Sequence, residues 1–176
     1  FMLVRFMMAG VLGFLLLPFY RSQLRGLRPR QWLTGMGLGV LGYLAYSSCI
    51  AGGVIYGGPL LIAAFIGAVP VLQALLGNAQ HRSLRWGQLA IPIGVLCLGL
   101  VLINLEILQA PTSGSTVLWL GLAFSVGAVL LWLSFSVVNQ AAMEHLHTSA
   151  TGAWTCLMMI GAGLTALVLT PLAWAT

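Results

Sequence analysis

Apolar residues fill this chain in six long blocks, 1–20, 31–56, 59–77, 86–105, 117–138 and 152–174, separated by short polar breaks. Each block has about the 20 residues that a helix needs to cross a hydrocarbon core of about 30 Å. Within the blocks there is no period-two alternation of the kind that marks the strands of a membrane barrel, so each block predicts an apolar helix. No charged residue occurs from Gln31 to Gln80. As one helix that run would be about 75 Å long, so it must turn. The turn is placed at Gly57-Gly58-Pro59: two glycines permit a tight reversal, and proline suits a first helical turn. The other breaks are Tyr20 to Arg30, Gly77 to Arg85, Pro111 to Thr116 and Asn139 to Thr151.

Composition removes the soluble alternatives. Hydrophobic residues make up 60% of the chain and charged ones 5%, against roughly 25% charged in an ordinary soluble domain. Mean hydropathy is +1.05. A soluble globular domain, a disordered chain, a collagen and a disulfide-stapled secreted module are all excluded. The three cysteines, Cys49, Cys97 and Cys156, lie inside apolar runs and read as small core residues. A net charge of +5 would suggest nucleic acid in a soluble protein. Here six of the seven Arg fall in two breaks, Arg21, Arg25, Arg28 and Arg30 in one, Arg82 and Arg85 in the other. Two spans separate those breaks, so they lie on one side, and the positive-inside rule makes it the cytoplasm. The expectation is a multi-pass protein of a bacterial cytoplasmic membrane with connectors 20–30, 78–85 and 139–151 inside. Segment 1–20 is not read as a signal peptide, because it has no small-residue cleavage site and Arg5 interrupts its start.

An internal repeat is visible when Pro18 is set over Pro171. Gly10 then meets Gly163, and Leu16 meets Leu169, at an offset of 153. The two blocks are an odd number of spans apart, so they cross in opposite directions. That is the arrangement of inverted-topology repeats, whose interface holds the substrate path of many transporters.

Several stretches resemble the EamA-type branch of the drug/metabolite transporter superfamily. They are Arg5-Phe6-Met7-Met8-Ala9-Gly10, Arg30-Gln31-Trp32, the run Ala68-Val69-Pro70-Val71-Leu72-Gln73 to Gly77, Leu84-Arg85-Trp86-Gly87-Gln88 with Ile93-Gly94-Val95-Leu96, and Leu131-Trp132-Leu133-Ser134-Phe135-Ser136. The resemblance covers essentially the whole chain, and the order of the stretches carries it. It implies a ten-helix bundle of two inverted five-helix repeats, of which this chain holds helices two to seven. Residues 1–105 would be helices two to five of the first repeat, 106–116 an outer connector, and 117–176 the first two helices of the second. It further implies a secondary transporter of small organic metabolites or drugs, an exporter working by alternating access. One departure stands out: the family has Gly-Glu after its fourth helix, whereas this chain reads Gly77-Asn78.

Polar side chains inside a membrane span are costly and so are candidates for function. Arg5 reads either as an anchor snorkelling to the interface or as a fixed positive charge at the mouth of the path. Tyr43, Tyr46 and Ser47 fall at i, i+3 and i+4, one helical face, and either line a substrate path or bond neighbouring helices. Pro70 frees a backbone carbonyl, and Gln73 follows within a turn. Trp132, Ser136 and Asn139, at i, i+4 and i+7, are their counterpart in the second half. Other patterns carry less. Gly37-x-Gly39-x-x-Gly42 matches a dinucleotide fingerprint, but no strand precedes it. Gly35 and Gly39 instead form a GxxxG packing face. Glu144-His145-x-His147 is too sparse for a metal site and reads as a solvated connector. Neither Glu106 nor Glu144 lies deep in a span. No nucleophile, base or metal cluster converges on one cavity, so an enzyme is the weaker reading. A subunit of a membrane complex is the other alternative. The expected partners are a small-molecule substrate and the lipid bilayer, with no nucleic acid, cofactor or metal.

Overall fold

The computed structural model describes residues 2–81, 86–109, 115–144, 146 and 150–174, which are helical apart from short turns. The elements are α1 (Met2–Leu16), the single turn α2 (Arg21–Leu24), α3 (Pro29–Gly39), a π-helical segment (Val40–Ala45), α4 (Tyr46–His81), α5 (Trp86–Gln109), α6 (Ser115–Glu144) and α7 (Thr151–Trp174). Among the described residues three helical runs are long and apolar enough to cross a membrane: Pro29–Ala79, Thr116–Glu144 and Thr151–Thr170. Leu3–Leu16 and Ala90–Gly99 are shorter apolar helices.

Element edges depart from the hydrophobic blocks where local chemistry intervenes. The first block extends to Tyr20, but α1 stops at Leu16. Pro18 disfavours helical backbone at Leu17, and the chain closes into tight turns, Leu17 N–H donating to the Phe14 carbonyl and Tyr20 N–H to the Leu17 carbonyl. At the other ends the helices overrun the blocks, α4 through Asn78 to His81 and α6 through Asn139 to Glu144. Polar residues by themselves do not stop a helix, and α4 runs on through Gly77 as well. Arg82 and Arg85 lie outside the described residues, as do His145 and His147. α3 starts two residues before the apolar block at 31: Pro29 takes the first turn, Arg28 is extended at φ −72°, ψ 151°, and the Arg28 N–H donates to Gln31 Oε1 at 2.8 Å.

The run Pro29–Ala79 would be far too long for one crossing, and Gly58 breaks it with φ 82° and ψ 161°. Gly53 and Ile62 come into contact across that break, whereas nine residues of straight helix would hold them about 13 Å apart. The chain therefore folds back at the predicted place. Only glycine adopts that backbone region without strain. Gly58→Ala is expected to lower stability by about 1–2 kcal/mol. The comparison is thermal unfolding in detergent against Gly67→Ala, whose added methyl group meets open space. Equal melting temperatures for the two would show that the reversal does not need a positive φ.

Packing divides the chain into two compact units, Phe1–Ala45 with Ser134–Thr176, and Tyr46–Leu133. In the first unit α7 is the hub: α1, α2, α3 and the π segment all pack on it. Its inward side is small or fully buried, including Ala153, Trp154, Leu157, Ala162 and Ala166. Lipid offers no hydrophobic drive for apolar helices to associate, so they hold together by close backbone approach. Gly39 lies against the Met158 carbonyl and Gly161 against Met36. Gly35, one turn before Gly39, faces Leu157 and Trp154, so the GxxxG pair is a packing face toward α7. Where α1 crosses α7, a methyl group on Gly10 would sit 2.7 Å from the Gly163 Cα.

In the second unit the first arm of α4 packs on α6 by the same means. Gly52 lies under the Phe124 ring, and Gly57 meets Gly121 backbone to backbone. Ser125 is fully buried and donates to the Gly121 carbonyl at 2.8 Å. α5 packs on α4 and leaves Ile91, Val95, Leu98 and Leu102 exposed. They recur at helical spacing, an apolar stripe that suits lipid and not water.

Candidate functional site

Each unit holds a cluster where polar or aromatic side chains from different helices meet. In the second unit Tyr46, at the start of α4, and Trp132 of α6 approach with ring centroids 4.8 Å apart and planes tilted by 42°. Such a tilted pair adds to simple area burial. Both side chains are partly exposed, so they form a wall rather than a sealed core. Ser47 is partly buried beside Tyr46 in sequence. Pro70 and Gln73 belong to the second arm of α4, Pro70 exposed and Gln73 partly buried. The α4 helix continues through Pro70, although proline removes the donor that would bond the Ile66 carbonyl.

In the first unit Tyr43 lies inside the π-helical segment, 6.2 Å from the Phe135 ring of α6. Gly42 makes room for that same Phe135 ring. A π turn closes i to i+5 and is frequent at functional sites, so the spacing from Tyr43 to Tyr46 and Ser47 runs through a wider turn than the α-helical count assumed. Asn139 of α6 accepts a hydrogen bond from Trp154 Nε1 of α7 at 2.9 Å. Trp154 is only 1% exposed, which makes this bond the polar anchor of an apolar interface. Ser136 is partly buried one turn before Asn139. Arg5 is exposed on α1 with its guanidinium 4.8 Å from the Phe6 ring centroid, and Phe6 is buried against Leu44, Ala162 and Ala166.

The structure thus pairs Tyr46 with Trp132 and gives Tyr43 and Asn139 partners that the sequence reading left out, Phe135 and Trp154. Phe135 was hidden because an aromatic residue in an apolar block has no polar mark. Trp154 carried one, as an indole donor early in a span with an amide upstream, but the pairing of α6 with α7 was needed to use it. Among the described residues no group of His, Cys, Asp and Glu is arranged to hold a metal ion. Asn78, at the position where the EamA-type pattern carries an acid, is 2% exposed within α4.

A cavity of about 670 Å³ opens at one end of the first unit. Arg28, Arg30, Gln31 and Thr34 from the start of α3 form one side, and Val138, Ala142 and Trp154 form the other. A second, smaller groove of about 260 Å³ follows the α1–α7 crossing and is apolar throughout, lined by Met7, Phe14, Leu164 and Leu167 among others.

Comparison with known proteins finds a distant relative. The chain is 28% identical over 137 residues to the inner membrane protein YtfF of Escherichia coli (strain K12), a match covering 73% of this chain and 43% of that protein. The chain therefore spans less than half the length of the relative it matches. No family model matches the chain, and no solved structure matches it. Membrane-length apolar helices, outward apolar stripes and a relative in an inner membrane together make this an all-helical, multi-pass membrane protein.

Proposed function

We propose that the chain is part of a secondary transporter for small organic metabolites, an EamA-type exporter of the cytoplasmic membrane built from two inverted five-helix repeats. In this reading the six apolar blocks are six spans, helices two to seven of ten, and the connectors at 20–30, 78–85 and 139–151 face the cytoplasm. One observation carries the reading. Gly10 and Gly163 are matched by the repeat offset of 153, and they are also the residues in contact where α1 crosses α7. When two antiparallel helices are related by a two-fold axis, a residue on the axis touches its own equivalent. Inverted repeats related by an axis in the membrane plane have this geometry. The sequence match and the crossing point are independent, and they select the same pair. The distant inner-membrane relative is in keeping with this reading.

Substrate would be held without covalent chemistry by aromatic walls and hydroxyl or amide groups; the candidates are Tyr46, Ser47, Pro70, Gln73 and Trp132 in one unit and Arg5, Tyr43, Ser136 and Asn139 in the other. The test is counterflow of labelled amino acids and carboxylates in proteoliposomes carrying the protein. Substrate-dependent accumulation is expected, and Trp132→Ala is expected to slow it about tenfold, the loss of roughly one aromatic contact. Turnover of a substrate in detergent, with no membrane to separate two compartments, would sink the transport reading.

A further inference from the structure

We infer that the cavity at the head of α3 is a binding site for the oxyanion of an amphipathic organic molecule, a phosphate or carboxylate group attached to an apolar body. The inference does not depend on transport; it needs only the side chains that line the cavity. Their unused hydrogen-bonding capacity is almost all of one kind. Arg28 and Arg30 line the cavity, and among the described residues neither forms an ion pair. A guanidinium has five donors and no acceptor. The Gln31 carbonyl oxygen is spent on the Arg28 N–H at 2.8 Å, so its amide group presents donors. The Thr34 hydroxyl donates to the Arg30 carbonyl at 2.8 Å, and the Trp154 N–H is taken by Asn139 at 2.9 Å. Among the described residues no carboxylate lines the cavity.

A set of donors with two positive charges and no acidic counterpart is satisfied by an anion, and the fork of an arginine matches the paired oxygens of a phosphate or carboxylate. The rest of the lining is apolar, chiefly Val138, Ala141 and Ala142, with the buried Trp154 behind them. A volume of about 670 Å³ is in the range that accepts a drug-sized organic molecule and exceeds what a bare ion needs. Charge on one side and apolar surface on the other define the ligand class. A soluble organic anion and an anionic lipid headgroup share that chemistry.

Phenyl phosphate is the probe, titrated against tryptophan fluorescence of the purified protein in nanodiscs at constant ionic strength. In phosphatidylcholine discs a saturable change is expected. Arg28→Gln with Arg30→Gln should weaken apparent affinity about tenfold or more, the loss of charge-assisted bonds. Arg28→Lys with Arg30→Lys should fall between, since the charge stays and the fork is lost. Arg21→Gln with Arg25→Gln, in the same connector but outside the cavity, should bind as the unmodified protein does. Discs containing phosphatidylglycerol separate the sources. Unchanged binding there assigns the site to soluble anions. Loss of the phenyl phosphate response, restored by diluting the anionic lipid, assigns it to the headgroup. The inference is overturned if no saturable response occurs in phosphatidylcholine discs. It is equally overturned if the Arg21 and Arg25 changes weaken binding as much as those at Arg28 and Arg30, which would make the effect one of diffuse surface charge. Melting temperatures of all variants identify any that fail to fold, and the lysine pair then carries the comparison.

Discussion

Gly161→Ala and Gly39→Ala are each expected to cost about 3 kcal/mol or more and to remove most folded protein from detergent extracts. The methyl group added at Gly161 would collide with the Met36 carbonyl, and the one added at Gly39 with the Met158 carbonyl. Both obstacles are backbone, so no rotamer change relieves them, and α3 must lift from α7 along its length. Glycine normally weakens a helix by about 0.5–1 kcal/mol relative to alanine. At these two positions close approach outweighs that intrinsic cost, because van der Waals contact is what holds apolar helices together in lipid. Gly37→Ala supplies the contrast. It lies in the same helix, two residues before Gly39, and its added methyl group meets nothing within 4 Å. It is expected to leave stability unchanged or raise it by a few tenths of a kcal/mol. Size-exclusion profiles and thermal unfolding of the three variants make the comparison. If Gly37→Ala and Gly39→Ala destabilise equally, the loss does not arise where Gly39 meets Met158, and the close approach of α3 to α7 is wrong.

Asn139→Leu is expected to cost about 2–3 kcal/mol, the largest effect among the polar positions. The side chain removed is the acceptor for Trp154 Nε1 at 2.9 Å, and Trp154 is 1% exposed. An indole N–H left in that place has no water to turn to, so the expense lies in the orphaned donor more than in the bond itself. Trp154→Phe removes the donor as well. The double variant should therefore recover part of the loss, with a coupling energy of about 0.6–1.7 kcal/mol, the range seen for hydrogen bonds between membrane helices. A double-variant cycle in detergent unfolding reads that coupling. Additive losses would mean that Asn139 acts through packing alone.

The positions of the helices were legible in the chain because the signal is local. Apolar blocks long enough to cross a bilayer correspond to helices, and the reversal falls at Gly58, since a tight turn between apolar helices needs glycine and proline suits the helix start that follows it. The glycine spacing at Gly35 and Gly39 marked a packing face in advance, because close approach leaves a mark in residue size. Helix ends were less legible. Asn78 and Asn139 read as connector residues, yet both continue a helix, as polarity alone does not break the backbone ladder.

Other features needed the folded chain. The π-helical segment at Val40–Ala45 has no composition of its own, and only the fold shows Gly42 and Tyr43 within it facing Phe135. The partners of the polar residues were equally hidden. Tyr46 with Trp132, Asn139 with Trp154, and Arg28 and Arg30 around one cavity depend on which helix faces lie together. The arginines illustrate the difference: as sequence they mark a side of the membrane, and only in the fold do two of them share a cavity with Trp154. In an apolar solvent every helix presents nearly the same greasy surface, so hydrophobicity alone determined where this chain is helical and that it belongs in a membrane. Which faces meet was decided by the tertiary structure, through the few places where two backbones can touch and the few where a buried donor finds its acceptor.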